Sequence, residues 1–236
     1  MALSFGEQIH GLTGFDGDSS DSSEIGENYD DITAEWMNMA VRQVINILPP
    51  LLKEKCTTET TLNHSATTID LDTLGGEVLY VNRLSADSGG SRIPCRKVPS
   101  MYGELSNDSN SLYKASVTDP VYWILSSSDA AILNVIPTPT ANQTAIVYHI
   151  GYPVFDADGS GSNINIKTAT SITNFPDEAE YLVVLRAAIL AAKYLLAIEE
   201  DVELYTNVIG ALKAQYQEGV LAIQTGSIIP QQRGKQ

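Results

Sequence analysis

The sequence is poor in cysteine and in positive charge, and each shortage excludes a class of function. Its 236 residues include two cysteines, Cys56 and Cys95. They could pair with each other, but two residues supply neither a disulfide framework nor the ligand spacing of a metal site. Fourteen Lys and Arg residues stand against 29 Asp and Glu residues, which gives a net charge of −15. A groove that grips nucleic acid needs a basic patch, so this balance argues against one, while it suits a surface that DNA passes without binding.

Long uninterrupted apolar runs are also missing. The first six residues lack the basic region and apolar run of a signal peptide, so we expect none. The longest apolar stretch, residues 181–198, is interrupted by Arg186 and Lys193 and predicts a core helix instead of a membrane span. At 43% hydrophobic residues the chain can still bury a sizeable core. We therefore expect no membrane partner.

The motifs of common catalytic sites are absent from the sequence. It contains no Gly-x-Ser-x-Gly, no His-Glu-x-x-His and no glycine loop of the kind that holds phosphates. None of the three histidines has a second histidine at ligand spacing. Cys95 follows Pro94 and has no obvious base nearby. We therefore predict no catalytic residue, no cofactor and no enzymatic activity.

One segment resembles a metal-binding loop. Residues 156–162 read Asp-Ala-Asp-Gly-Ser-Gly-Ser, like the start of a calcium loop. The acidic residue expected at the twelfth position is replaced by Lys167, and no helix is predicted on either side. A solvated turn explains the composition better, so we predict no metal ligands here.

The period of the hydrophobic pattern changes twice and divides the chain. Residues 1–28 are rich in Gly, Ser and Asp and predict a flexible acidic arm. Helical spacing in residues 29–56 and again in 172–225 predicts a bundle domain made of one N-terminal helix and a C-terminal helical hairpin. Residues 57–171 predict an inserted antiparallel β domain, sandwich-like or barrel-like. With a polar tail at residues 226–236, the predicted fold class is α+β.

The predicted helices carry apolar stripes. Asp30 and Asp31 suit the first turn of the N-terminal helix, and Pro49-Pro50 ends it. The hairpin helices are expected at about 177–199 and 201–224. The side chains predicted to pack the helices together are Ile32, Trp36, Val44, Leu185, Ala188, Leu195, Tyr205, Leu212 and Tyr216.

Short β-branched runs separated by turn residues predict the strands. They are expected at Glu59–Leu62, Thr67–Leu71, Val78–Leu84, Val121–Ser126, Ala131–Ile136 and Thr144–Ile150. The last three follow one another closely and predict an antiparallel meander. The region also holds a loose basic group, Arg83, Arg92, Arg96 and Lys97. Its members could contact an acidic surface of a neighbouring protein, or could be ordinary surface charge.

Four passages resemble the head-to-tail adaptor, or connector, proteins of tailed phages. They are the helix 32–41 with the Leu-Pro-Pro-Leu-Leu segment at 48–52, the hairpin of Val121–Ile124 and Leu133–Pro139, the strand Val147–Pro153, and the helix opening Phe175–Glu178. The order and spacing of these passages carry the resemblance, which spans about residues 30 to 224. The acidic arm is longer than the family pattern needs.

The resemblance implies a structural protein of the virion neck. Such adaptors form a ring, commonly of twelve copies, beneath the portal, and the next tail, nozzle or tube protein follows. The helices line a channel that DNA crosses without specific binding, and the β domain faces outward or toward neighbours. The basic group of Arg83, Arg92, Arg96 and Lys97 could then contact an acidic portal or a neighbouring subunit. Two alternatives stay open: another neck or tail protein, such as a completion or terminator protein, and a carbohydrate-binding β module.

Overall fold

The computed structural model describes residues 2–14, 29–62, 68–71, 76–85, 91–126, 131–140, 143–198 and 202–226. The chain divides into two compact units. One combines residues 1–56 with 152–236 and is called the helical unit below; the other, residues 57–151, is called the β unit. The flexibility predicted for residues 15–28 and for the tail after Gly226 falls outside the described residues.

The helical unit contains five α-helices, one 3-10 helix (Glu54–Cys56) and one two-stranded sheet among its described residues. The helices are α1 (Phe5–Thr13), α2 (Tyr29–Ile47), α3 (Pro50–Lys53), α4 (Asp177–Ile198) and α5 (Val202–Gln224). The predicted helical hairpin corresponds to α4 and α5, whose connection at 199–201 is not described.

Helix α4 forms the core of this unit. It packs against α1, α2 and α5, and eleven of its 22 residues are buried. Among the described helices it alone is long and apolar enough to cross a membrane. Its alanines at 187, 188, 191 and 192 are fully buried and let neighbouring helices approach closely. The packing on three sides is that of a core helix, as its sequence predicts.

Helix α1 corrects the prediction of an arm for its part of residues 1–28. Ser4 caps the helix, because its Oγ accepts from the Glu7 N–H at 3.3 Å while Glu7 Oε2 accepts from the Ser4 N–H at 2.7 Å. Phe5 and Ile9 are fully buried, and the Phe5 ring meets Phe155 edge-on at 5.8 Å. Nine residues are too few to hold a helix in water, so tertiary packing stabilises this one.

Residues 152–171 correct the predicted end of the β domain. They belong to the helical unit, where β9 (Phe155–Asp156) and β10 (Ile164–Asn165) form a short parallel pair. The Asn38 side chain of α2 donates to the Phe155 carbonyl at 3.0 Å and accepts from the Phe155 N–H at 2.8 Å. This segment therefore packs against helices, which its turn-rich sequence does not indicate.

The β unit consists of two four-stranded sheets. Its strands are β1 (Thr57–Leu62), β2 (Thr68–Asp70), β3 (Val78–Leu84), β4 (Arg92–Pro94), β5 (Arg96–Lys97), β6 (Val121–Ser126), β7 (Ala131–Ile136) and β8 (Ala145–Ile150). One sheet has the order β1-β8-β3-β4 and the other β2-β7-β6-β5. All pairs are antiparallel except β5 with β6.

The two sheets share one core, so the β unit is a sandwich. Leu62, Val81 and Val147 from the first sheet pack in one cluster with Tyr122, Leu133 and Val135 from the second. The predicted meander is wrong at its third strand, because β8 leaves the β6–β7 hairpin and pairs with β1 and β3. The predicted α+β class, with a C-terminal helical pair and an antiparallel β module, is confirmed.

Candidate interaction surfaces

The four basic residues predicted to contact a portal or a neighbour do not form one surface. Arg92, Arg96 and Lys97 are exposed, whereas Arg83 is 1% exposed. Arg83 follows Val81 on the inward-facing side of β3, and the alternation of the strand carries it into the sandwich. The structure thus removes Arg83 from the predicted contact set, and the role of the other three stays a prediction.

Inside the β unit, Arg83 links strand β3 to the connection from β7 to β8 by hydrogen bonds. Its Nη2 donates to the Thr138 carbonyl at 3.1 Å and to Gln143 Oε1 at 3.0 Å. Its Nε has no hydrogen-bond partner among the described residues. Burial lowers the pKa of the guanidinium, although the nearby Cys95 side chain opposes this. These contacts are to neutral acceptors, which makes the buried charge costly to keep.

Arg92 belongs to a polar and aromatic face of the first sheet. Its Nη1 donates to the Tyr148 hydroxyl at 2.6 Å, and the Tyr148 ring stacks on Tyr80 with the centroids 4.4 Å apart. Tyr80 is exposed and Tyr148 is buried beneath it. One face of the exposed ring is therefore covered by its own chain, which leaves less of it for a sugar than an open platform would.

Arg96 and Lys97 lie on β5, the edge strand of the second sheet. Arg96 forms an exposed ion pair with Asp119, with Nη2 and Oδ2 3.0 Å apart. The Lys97 side chain is exposed beside it. Charged side chains on a two-residue edge strand discourage unwanted strand pairing while offering a positive rim.

A long connection from β5 to β6, residues 98–120, carries four of the six large apolar side chains that are exposed among the described residues of the β unit. This connection is packed against strand β6. The buried Gly103 lies directly on the Trp123 indole, so a Cβ added at this position would come within 2.6 Å of Nε1. Ala115 donates from its N–H to the Ser106 carbonyl at 2.8 Å. The rings of Tyr102 and Tyr113 stack at 4.6 Å.

The side chains around this stack point outward. Leu112 is fully exposed, Met101 is 74% exposed and Leu105 is 42% exposed. We call Met101, Leu105, Leu112 and Tyr113 the loop patch. Rigid loops with exposed apolar side chains commonly mark interaction sites. The sequence-based prediction missed this surface; its signal was four large apolar residues in an otherwise Ser- and Asn-rich stretch.

The residues predicted to pack the helices lie on α2, α4 and α5. Leu185, Ala188 and Leu212 share one buried cluster between α4 and α5, with Tyr216 against it. Trp36 is buried and its ring lies 5.6 Å from that of Tyr194 on α4. The remaining members are buried (Val44, Leu195) or half-buried (Ile32, Tyr205).

The groups that could carry chemistry are held in structural roles. Burial raises the pKa of the Cys56 thiol to about 11 and that of Cys95 to about 12, so neither forms a thiolate nucleophile at neutral pH. The two cysteines are free thiols. Buried His149 lies within hydrogen-bond distance of Thr60 Oγ1, with Nε2 at 3.0 Å. It is a packed side chain of strand β8.

The calcium-like loop is an internally bonded turn. The Asp156 carboxylate accepts from the Asn163 side chain at 2.9 Å, from the Ser160 hydroxyl at 2.8 Å and from the N–H groups of Gly159 and Ser160. These donors lower the pKa of Asp156 to about 2. In the described part of the chain, no three His, Cys, Asp or Glu side chains are grouped so that they could hold a metal ion.

Charge is distributed unevenly between the two units. The helical unit has 20 acidic and 9 basic residues, a net charge of −11, and the β unit has 9 and 5, a net charge of −4. The exposed acidic residues of α5 include Glu203 and Glu218. A helical unit of this sign repels polyanions and favours positively charged partners.

Comparison with known proteins identifies the family. The family model described as SU10 adaptor protein matches residues 17–233, which is most of the chain and both units. The chain belongs to this family of phage head-to-tail adaptors. The resemblance seen in the sequence is therefore confirmed. Comparison with curated proteins gives no match.

Membership of the adaptor family gives the protein a coarse role. It is a phage adaptor, a component of the virion at the junction of head and tail, whose partners are portal and tail components. Adaptor families of this kind are structural and typically non-enzymatic. The surfaces that matter are accordingly those that could contact other proteins, and not a pocket with reactive groups.

Proposed function

We propose that the protein forms a ring beneath the portal, expected to be of twelve copies, and that this ring continues the DNA channel from the capsid into the tail. The observation that carries the proposal is the family match over residues 17–233. The portal lies on one side of the ring and the tail, nozzle or tube protein on the other.

The charge of the helical unit supports a channel role. If the helices line the channel, as the resemblance implies, each copy contributes part of its net charge of −11 to the wall. A wall of this sign repels the phosphates of passing DNA and prevents it from adhering. DNA then crosses the ring without specific binding.

The exposed basic residues of the β unit are available for protein contacts. Arg92, Arg96 and Lys97 face solvent on edge strands, where an acidic portal surface or a neighbouring copy could pair with them. Contacts at exposed rims set orientation and rate of association more than affinity.

The test is to mix the purified chain with its cognate portal and to image the product by electron microscopy. We expect a ring of adaptor density coaxial with the portal, with a copy number that matches the added mass in mass photometry. A stable monomer that never joins the portal would contradict the proposal. If that monomer instead bound glycans, the carbohydrate-binding alternative would gain the support.

A further inference from the structure

The charged side chains on the strands of the β unit are sorted by sign between its two edges. Exposed cations lie on β4 and β5, at one end of the two sheet orders. Exposed carboxylates lie on β1 and β2, at the other end. The inner strands β6, β7 and β8 contain no Asp, Glu, Lys or Arg, and the one such residue of β3 is the buried Arg83.

The path of the chain brings the edges of like sign together. Cys95 alone separates β4 from β5, so these two edges lie on the same side of the sandwich. Strands β1 and β2 are the edges opposite β4 and β5 in their sheets. Leu62 of β1 and Ile69 of β2 pack in one core cluster, which places these two strands together on the other side.

Each side carries a net charge. We name them the basic side (Arg92, Arg96 and Lys97) and the acidic side (Glu59 and Asp70). All of these side chains are exposed. Asp119 offsets the charge of Arg96 in their ion pair. Arg92 and Lys97 therefore leave two positive charges on one side, against two negative charges on the other.

We propose that the acidic side of one copy contacts the basic side of the next copy. This inference rests on the proposed ring and names one contact that would build it. The occupant of each side is a second copy of this chain, and the contact is heterologous, with different surfaces on the two partners. Because every copy carries both sides, the contact can repeat until the ring closes.

Charge complementarity selects a second copy as the occupant. Whole copies with a net charge of −15 repel each other, so they approach best where the local charges have opposite signs. The two sides match in number of charges and lie on opposite edges of one sandwich, as a repeating contact requires. A contact with the portal would use the basic side and leave the sorting of the carboxylates unexplained.

The side chains, and not a new backbone ladder, make this contact. Pro94 on β4 has no N–H to donate to an added strand, and β5 has two residues. One exposed ion pair contributes little by itself. Such pairs set the orientation and the choice of partner, and a ring repeats them at every contact.

The first experiment reverses one side at a time in the full-length chain. The basic-side variant is Arg92→Glu with Lys97→Glu, and the acidic-side variant is Glu59→Lys with Asp70→Lys. Each should raise the concentration needed for ring formation on the portal by about tenfold or more, because like charges then meet at every contact. Thermal unfolding followed by circular dichroism checks that both variants fold.

Matched controls separate the contact from the net charge of the chain. Lys114→Glu with Lys213→Glu changes the net charge as the basic-side variant does, and Glu104→Lys with Asp108→Lys changes it as the acidic-side variant does. All four residues are exposed and lie off the edge strands. Both controls should assemble like the wild type. Controls that assemble as poorly as the side variants would overturn the proposal.

The second experiment mixes the two side variants to test the occupant. The basic-side variant is acidic on both sides and the acidic-side variant is basic on both sides. Each should fail alone, while the mixture should form rings in which the two alternate, as an even copy number such as the expected twelve allows. Native mass spectrometry counts the two proteins, which should be present in equal numbers. A mixture that assembles no better than either variant alone would overturn the contact.

The outcomes separate this inference from the proposed function. A wild-type chain that forms no ring on the portal contradicts the function, and the contact with it. Wild-type rings that form equally well from both side variants overturn the contact alone. Loss of assembly in the basic-side variant only, without recovery on mixing, would show that the basic residues face the portal, which also overturns the contact proposed here.

Discussion

The two units differ in which parts of the chain form the hydrophobic core. The β unit is one continuous stretch, residues 57–151, with a core that joins its two sheets. The helical unit is assembled from both ends of the chain around α4. A continuous unit can form from its own contacts, whereas the helical unit must first close a long loop. The β unit can thus fold through contacts within one stretch of chain. The helical unit depends more on contacts between residues that are far apart in sequence.

The variant predicted to lose the most stability, Phe5→Ala, tests whether α1 belongs to the helical unit. Phe5→Ala should cost about 3–5 kcal/mol, because the ring is fully buried and contacts Phe155. Chemical denaturation monitored by circular dichroism measures it. Leu3→Ala, at an exposed position, is the control and should change stability by less than about 0.5 kcal/mol. Equal effects of the two changes would mean that α1 does not pack as described.

A matched pair of core leucines tests the independence of the two units. Leu182→Ala in α4 and Leu133→Ala in β7 remove fully buried side chains and should each cost about 2–5 kcal/mol. If the units unfold separately, calorimetry should show each variant shifting a different transition. A single transition that both variants lower alike would show that the two units unfold together.

Substitution of the buried Arg83 in the β unit should have an effect of intermediate size on stability. Arg83→Ala should destabilise the β unit by about 1–3 kcal/mol, because it leaves the Thr138 carbonyl and the Gln143 amide without their donor. Arg83→Met should cost less, because its side chain fills space that alanine leaves empty, while both variants lose the buried charge and the two hydrogen bonds alike. Thermal unfolding of both variants gives the order. If methionine proved as costly as alanine, side-chain packing at this position would contribute little to stability.

The smallest predicted changes in stability come from removing a surface ion pair in each unit. The hydrogen bond from Lys55 lowers the pKa of Glu178, with Nζ and Oε1 2.7 Å apart. A lowered folded-state pKa adds stability above the usual glutamate range of about 4.5, and this stability is lost as the pH falls through the lowered pKa. Glu178→Gln should therefore cost about 0.2–1 kcal/mol at pH 7 and nothing in strong acid.

The control for this prediction is Asp119→Asn in the β unit. Its ion pair with Arg96 is about half exposed on both sides, so we expect a change at the low end of the same range. Urea titrations at pH 7 and at pH 2.5 measure both variants. A cost for Glu178→Gln that persists unchanged in acid would assign the effect to packing instead of charge.

Local sequence patterns were sufficient for most elements. Strands β3, β6 and β7 have the predicted bounds, because short runs of β-branched, aromatic and other apolar residues bounded by turn residues are typical of strands. The hairpin of α4 and α5 was predictable to within two residues from its apolar stripes. Arg83 carried a usable signal as well, since it shares the inward face of its strand with Val81.

Helix α1 and the loop patch had sequence signals that were too weak to predict them. The Ser4 and Glu7 capping box and the apolar spacing of Phe5, Ile9 and Thr13 were present in the sequence. A nine-residue helix is marginal until α4 and Phe155 cover it, so composition favoured an arm. The loop patch was likewise undetectable as a surface, because a sequence does not show which apolar residues stay exposed.

The α+β class, the family and most element bounds follow from the sequence, because periodicity, turn residues and capping are local properties. Three features emerged only from the folded chain: β8 joins β1 and β3, residues 152–171 pack with helices, and Arg83 lies inside while Leu112 lies outside. Those outcomes depend on contacts between residues far apart in the chain. Their energies come from burial that no short window of sequence contains.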